Sequence, residues 1–228
     1  MTEFTNFFAI EGGDGSGKGT QTRLLTEALR AEGREVYSLS FPRYGKLSAK
    51  VVGMYLDGAF GDANDVAPEL ASAPYALDRV AGKYDLEDWL ETHPEGIALT
   101  NRYTLSNAAH QGTKIPDYSE REAFYRYILE LEFGELRLPR PRKNVILLVP
   151  PDIAQQNVDK KAARSYTNAK RDIHESDSNH LALANRNYRE IAELFPEFTV
   201  AIEAYSHNTN KMRAEAEIHA EIRQIFEI

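Results

Sequence analysis

The chain is expected to fold as an α/β structure, a doubly wound, parallel, five-stranded sheet with flanking helices. Three observations predict this. Strand-like and helix-like segments alternate along the sequence, a glycine-rich turn joins the first strand to the first helix, and residues 145–149 are wholly apolar. A strand covered by helices on both faces needs apolar side chains at every position rather than at alternate ones. With 228 residues, 42% of them hydrophobic, residues 1–228 suit one domain with a full core and small mobile insertions.

Residues 4–10 are aromatic and β-branched, stop at Gly12-Gly13, and read as the first strand. Residues 18–32 place Leu24, Leu25, Ala28 and Leu29 on one helical face, with Gly33 as the stop. Residues 36–41 read as a second strand, 49–58 and 68–90 as helices, and 97–100 as a short strand. Ser119 and Glu122 have capping-box spacing ahead of Phe124, Ile128 and Leu131. The apolar strand 145–149 ends at Pro150-Pro151, residues 198–202 read as the last strand, and Ile218, Ile222 and Ile225 share a face of a closing helix. Residues 160–177 are polar, charged and nearly free of large aliphatics, so they cannot be core. Lying between a strand and a helix, they are expected to form a mobile excursion.

A net charge of -8 without a compensating basic stripe argues against nucleic acid as a partner. Arg140, Arg142 and Lys143 read as a solvated turn ahead of a strand. The absence of cysteine excludes disulfides, cysteine-bound zinc and thiol catalysis. The first ten residues lack a basic leader and read as strand, and no apolar run approaches the roughly 20 residues that span a membrane. A cytoplasmic location is therefore expected.

The strongest local signal is Glu11-Gly12-Gly13-Asp14-Gly15-Ser16-Gly17-Lys18-Gly19-Thr20. Gly12 with Gly17-Lys18 satisfies the G-x-x-x-x-G-K part of a P-loop, in its required place between an apolar strand and a helix. Glycines let the backbone turn its N–H groups around a phosphate, and the helix adds the positive end of its dipole. Lys18 is then expected to reach the β- and γ-phosphates of ATP. One position departs from the motif: the hydroxyl residue normally next to the lysine is Gly19, and Thr20 follows. The hydroxyl that usually meets Mg²⁺ is thereby shifted. Thr20 and Asp14 are the candidate metal contacts, and Thr20 or Ser16 could hold the ion through water. Gly-Lys-Gly-Thr-Gln also occurs in adenylate kinases.

The sequence resembles the thymidylate (dTMP) kinases. Glu11-Gly12-x-Asp14-Gly15-x-Gly17-Lys18-x-Thr20-Gln21 resembles that family's P-loop, including its internal acid. Phe41-Pro42-Arg43-Tyr44-Gly45 resembles its second motif, and Tyr75-Ala76-Leu77-Asp78-Arg79 its aromatic-x-x-Asp-Arg motif. Arg102-Tyr103-x-x-Ser106-Asn107-x-Ala109-x-Gln111 resembles its Asp-Arg-Tyr-x-x-Ser segment, and Arg171-Asp172-x-x-Glu175 its lid. Each match is weak alone; five in the family's order make coincidence a poor explanation.

The resemblance implies transfer of the ATP γ-phosphoryl group to dTMP, with Mg²⁺, by a homodimer. Such an enzyme needs cations on the acceptor phosphate, cations along the transferred group, and exclusion of water. Arg43, Arg79 and Arg102 can converge at the carboxyl ends of the strands, where such sheets bind ligands. By resemblance Arg102 grips the dTMP phosphate, Arg79 reaches a thymine carbonyl, Tyr75 stacks on the base and Asn107 bonds its edge. Asp14 accepts from the sugar 3′-hydroxyl, and Phe41 and Tyr44 line the pocket. Ser106 and Gln111 belong to the same motif, and His110 stands where the family often has a tyrosine that crowds the 2′ position. In the lid, residues 160–176, Arg164, Lys170 and Arg171 are the candidate clamps on the transferred phosphoryl group, and Asp172 and Glu175 could orient the metal or the lid. Gly15 stands where some members carry arginine, which resembles the bacterial class with its lid arginines. Asn101 stands where the family usually has aspartate. Two alternatives stay open: a kinase for another nucleoside monophosphate, and a nucleotide-binding protein without turnover, which Gly19, Asn101 and His110 would accommodate.

Overall fold

The computed structural model describes residues 4–62, 65–159 and 178–228. From the N-terminus the elements are β1 (Phe7–Gly12), α1 (Lys18–Ala31), β2 (Val36–Ser40), α2 (Lys50–Leu56), α3 (Pro68–Thr92) and β3 (Ile97–Asn101). There follow α4 (Thr104–Gln111), α5 (Tyr118–Leu129), a π-helical turn (Glu130–Glu135), β4 (Lys143–Leu148) and α6 (Pro151–Asp159). Then come α7 (Ser178–Leu194), β5 (Thr199–Glu203), a short hairpin of β6 (Tyr205–Ser206) and β7 (Lys211–Met212), and α8 (Glu215–Phe226).

Five strands form one parallel sheet in the order β2-β3-β1-β4-β5. The predicted fold is the observed one. The chain leaves β1 at the centre and winds to both edges, which makes the gap between β1 and β3 a switch point for ligands. Alternate residues of β1 serve the two faces of the sheet. Phe8 and Ile10 pack with Leu25, Leu29, Ile218 and Ile222 under α1 and α8. Phe7 and Ala9 pack with Leu86, Leu90 and Tyr103 on the other side. There Ile146 and Leu148 also meet Tyr125, Ile128, Tyr188 and Ile191 of α5 and α7.

The first strand is shifted from the expected 4–10 to Phe7–Gly12. Glu11 pairs with Ile146 and Gly12 with Leu147, so β4 carries the ladder into the glycine turn. The capping-box reading of Ser119 and Glu122 is corrected. Helix α5 starts at Tyr118, and Asp117 caps it by accepting from the Glu120 amide at 3.0 Å. Ser119 Oγ instead donates to the same Asp117 carboxylate at 2.5 Å. An extended aspartate beside the first turn is a strong cap, and it outcompetes the serine two places on. Residues 160–176, the expected lid, lie outside the described residues. Among the described residues, no helix is long and apolar enough to cross a membrane.

Candidate active site

The turn between β1 and α1 is built against its neighbours. Gly12, Gly15 and Gly17 have φ of 137°, 79° and 91°. These are conformations that side chains with a Cβ rarely adopt. A Cβ at Gly12 would stand 2.5 Å from the Leu147 carbonyl oxygen, and one at Gly15 would collide with that of Ala154. Asn157 of α6 donates to the Gly15 carbonyl at 2.9 Å and fixes the outer side of the loop. Helix α1 opens at Gly17 without a side-chain cap, which leaves its positive end to a ligand. Lys18 is buried and folds back across the loop, its Nζ donating to the Gly13 carbonyl at 2.6 Å.

A cavity of about 410 Å³ lies over this loop, and Asp14, Gly15, Ser16, Gly17, Lys18 and Gly19 line it. Thr20 and Asn101 border it as well, as do Met212 of the β6–β7 hairpin and Arg213 just after it. Gly12 and Gly13 shape the loop's start. A Cβ at Gly19 would meet nothing closer than Asn101 Nδ2 at 3.9 Å, so space does not dictate glycine there. Asn101 Nδ2 donates to Ser40 Oγ at 3.2 Å, while its Oδ1 is buried without a partner.

A second, smaller cavity of about 60 Å³ adjoins the first, and Asp14, Phe41, Tyr44 and Arg102 border both. Tyr75, Arg79, Ser106, Asn107, His110 and Gln111 line its interior. Arg102 sits at the junction, its backbone at φ 67°, an uncommon conformation for a residue other than glycine. Its Nη2 donates to Asp14 Oδ1 at 2.5 Å, and its Nη1 lies 3.2 Å from Ser106 Oγ and 3.0 Å from His110 Nε2. Burial works against the Arg102 charge, but Asp14, with Tyr188 and Glu11, more than offsets it and raises its pKa above the ordinary arginine value. Glu11 is fully buried and accepts from the Tyr103 amide at 2.9 Å and from Ser106 Oγ at 2.5 Å. Burial lifts its pKa above the usual carboxylate range, against the pull of Ser106 and Arg102.

Arg79 reaches the same cavity from α3. Its Nε and Nη2 donate to the two oxygens of Glu132 at 2.6 and 2.5 Å, a bidentate pair closed off from solvent. Glu132 also accepts from Thr104 Oγ1 at 2.8 Å and Asn107 Nδ2 at 2.9 Å. Burial opposes the Arg79 charge, and Glu132 outweighs that opposition. The Asn107 amide nitrogen also donates to the Ser72 carbonyl at 3.2 Å, and its Oδ1 is buried without a partner. Gln111 Oε1 accepts from the Tyr55 hydroxyl at 3.4 Å.

Arg43 does not join this group. It lines neither cavity: its amide and Nε donate to the buried Asp78 at 2.7 and 3.3 Å, and its guanidinium packs against Gly82 of α3. Asp78 is fully buried and needs these donors, so Arg43 ties the loop after β2 to α3. Arg164, Lys170, Arg171, Asp172 and Glu175 lie outside the described residues. Sequence reasoning missed Glu132, Tyr188, His180 and Asn157, which hold Arg79, Ser106, His110 and the loop. The π-helical turn that carries Glu132 inward has no local signature in the sequence. Tyr188 and His180 stand out only once α7 is packed on α4.

A parallel sheet wound from its centre, a phosphate-cradling loop after β1 and an adjoining polar cavity define a P-loop nucleotide-binding protein of the kinase kind. The chain belongs to the thymidylate kinase family, whose family model matches residues 10–215. It is 32% identical over 185 residues to the thymidylate kinase of Mycobacterium tuberculosis (strain H37Rv), covering 81% of this chain and 84% of that one. It is 30% identical over 152 residues to a probable thymidylate kinase of Pyrobaculum aerophilum, covering 67% and 69%. In fold it matches the thymidylate kinase of Candida albicans with a TM-score of 0.71 at 17% identity, over 100% of this chain and 93% of that one.

Proposed function

We propose that this chain, acting as one kinase domain, transfers the γ-phosphoryl group of ATP to dTMP, giving ADP and dTDP. Family membership supports the reaction, and ATP is the donor that the family implies. The observation that carries the site assignment is Arg102 at the junction of the two cavities, in contact with the acid of the phosphate loop. A cation there touches both the acceptor phosphate and the region of transfer. In this reading the loop amides and Lys18 hold the β- and γ-phosphates, Lys18 exchanging its bond to the Gly13 carbonyl for phosphate oxygens. Attack is in line, with no covalent enzyme intermediate. Arg164 and Arg171, from the lid, neutralise the transferred group.

The smaller cavity suits a thymine edge. With its amide nitrogen taken by Ser72 and Glu132, Asn107 presents a buried oxygen as an acceptor. Thymine offers N–H at position 3, whereas cytosine offers a lone pair there. Arg79, fixed by Glu132, supplies a donor for a ring carbonyl. Tyr75 stacks on the base, Phe41 and Tyr44 form walls, Asp14 accepts from the sugar hydroxyl, and His110, Ser106 and Gln111 complete the surround. Arg43 supports this pocket from outside.

The oxygen donors present also suit Mg²⁺, a hard cation that keeps several waters beside phosphate oxygens. Asn101 Oδ1, buried without a partner, and the Thr20 hydroxyl would hold its hydration shell, with Asp14 near by. Bound there, the ion supplies neutralisation of phosphate charge. The homodimer has support in α3, where Leu70, Leu77 and Tyr84 are exposed at seven-residue spacing and so share one helix face. Sedimentation is expected to give twice the chain mass, and Leu77→Glu to give the single mass. We propose a cytoplasmic location, in keeping with family membership, and cell fractionation checks this.

Replacing Arg102 by methionine is expected to weaken dTMP binding roughly 10- to 150-fold, the worth of a charge-assisted hydrogen bond. ATP binding should change far less. Calorimetric titration of each nucleotide measures this, and equal loss for both, or loss for ATP alone, contradicts the assignment.

A further inference from the structure

Arg102 is held by the phosphate loop on one side and by Ser106 and His110 of α4, backed by α7, on the other, and the second hold has a direction. A guanidinium can only donate. Its Nη1 lies 3.0 Å from His110 Nε2, so that nitrogen accepts, and the neutral ring carries its proton on Nδ1. His110 Nδ1 lies 3.1 Å from His180 Nε2, which must then accept as well. The His180 proton is thereby on Nδ1, 3.3 Å from Thr113 Oγ1. That hydroxyl in turn donates to the His110 carbonyl at 2.8 Å. Donors and acceptors match in one order only, and a proton on either Nε2 would set N–H against N–H. Both rings are buried, and they are tilted by 32° with centroids 5.3 Å apart, which is not a face-to-face stack.

Helix α7 backs the arginine a second time, through Ser106. Tyr188, two turns after His180, lies 2.8 Å from Ser106 Oγ, which contacts Arg102 Nη1. Among the described residues, the charged groups tied to this relay are Arg102 itself, Asp14 on its Nη2 and Glu11 behind Ser106. His180 lines neither cavity, so its reach to the acceptor site runs through His110.

We propose that His180, acting through His110, is a positioning residue for Arg102: two neutral histidines, each protonated on Nδ1, hold the guanidinium at the junction of the cavities. The proposal rests on the reading of Arg102 as the contact to the acceptor phosphate. The side chain of Arg102, leaving a backbone in the left-handed region, is anchored by Asp14, Ser106 and His110.

His180→Phe keeps a ring of similar size and removes the acceptor. It is expected to raise the KM for dTMP about tenfold, the worth of one buried hydrogen bond, while the KM for ATP stays near the wild-type value. His180→Gln can accept through its oxygen and donate through its nitrogen, and should restore most of the loss. In nitrogen-15 NMR of the unaltered full chain at neutral pH, both rings should report the Nδ1–H tautomer. Equal effects of phenylalanine and glutamine would reduce His180 to packing and overturn the proposal. So would an Nε2 proton on either ring, a measurement that decides even if His180→Phe does not fold. An active wild type with the wrong tautomers sinks the relay alone. A wild type that forms no dTDP sinks the functional reading, and the positioning role with it.

Discussion

Replacing Lys18 by alanine is expected to lower dTDP formation on the order of 10³-fold or more, as loss of a cation on the transferred phosphoryl group commonly does. The side chain is buried within the loop, with Nζ 2.6 Å from the Gly13 carbonyl and 3.5 Å from Ser16 Oγ. In the proposed reading an ammonium held there is close to where the β- and γ-phosphates would meet the loop amides, and it exchanges the Gly13 carbonyl for them. The fold should survive, because the loop is shaped by its glycines against β4 and α6 rather than by the lysine. Steady-state rates with saturating nucleotides measure the effect, and circular dichroism checks the fold. Activity near the wild-type level in a folded variant would remove the phosphate-loop assignment.

The second large effect belongs to a residue that touches no phosphate. Glu132→Ala is expected to destabilise the protein by about 3–5 kcal/mol, the usual consequence of leaving a buried charge without its partner. Arg79 and Glu132 are both closed off from solvent, and the carboxylate serves four donors, from Arg79, Thr104 and Asn107. Binding of dTMP should fall as well, since the same carboxylate fixes the two groups assigned to the base. Urea unfolding of wild type, Glu132→Ala and Glu132→Gln measures the loss, with glutamine expected to lose less because it keeps volume and one acceptor. A change below about 1 kcal/mol, typical of an exposed pair, would mean that Arg79 finds other partners.

These two residues mark what the sequence makes legible. The phosphate loop reads directly because its chemistry is local: glycines, lysine and helix start lie within ten residues and follow an apolar strand. The parallel sheet reads for a similar reason, since a run such as Val145 to Leu148 can only be covered on both faces. Helix α4 was missed because all eight of its residues are buried, which removes the polar face that gives a helix its period. Glu132 was missed because its role exists only after α5 and its π-helical turn pack on α3. Arg43 was misplaced for the converse reason. Its motif position suggests a ligand contact, but the buried Asp78 beside Arg79 captures it. Asn101 and Gly19 were visible as departures from the family pattern. The orphan Oδ1 of Asn101 and the open space at Gly19 are properties of the packed site alone.

In the proposed function the smaller cavity takes a thymine nucleotide and the larger one delivers a phosphoryl group to it. The most direct measurement is a phosphoryl-acceptor screen of the full chain with ATP and Mg²⁺, offering dTMP, dUMP, dCMP, AMP and GMP in parallel. We expect dTDP to form fastest, dCMP to be rejected because its N3 and amino group mismatch Asn107 and Arg79, and chelation of Mg²⁺ to abolish turnover. Preferential phosphorylation of dCMP or a purine nucleotide would contradict the assignment of the base pocket, and tight dTMP and ATP binding with no product would contradict the enzyme.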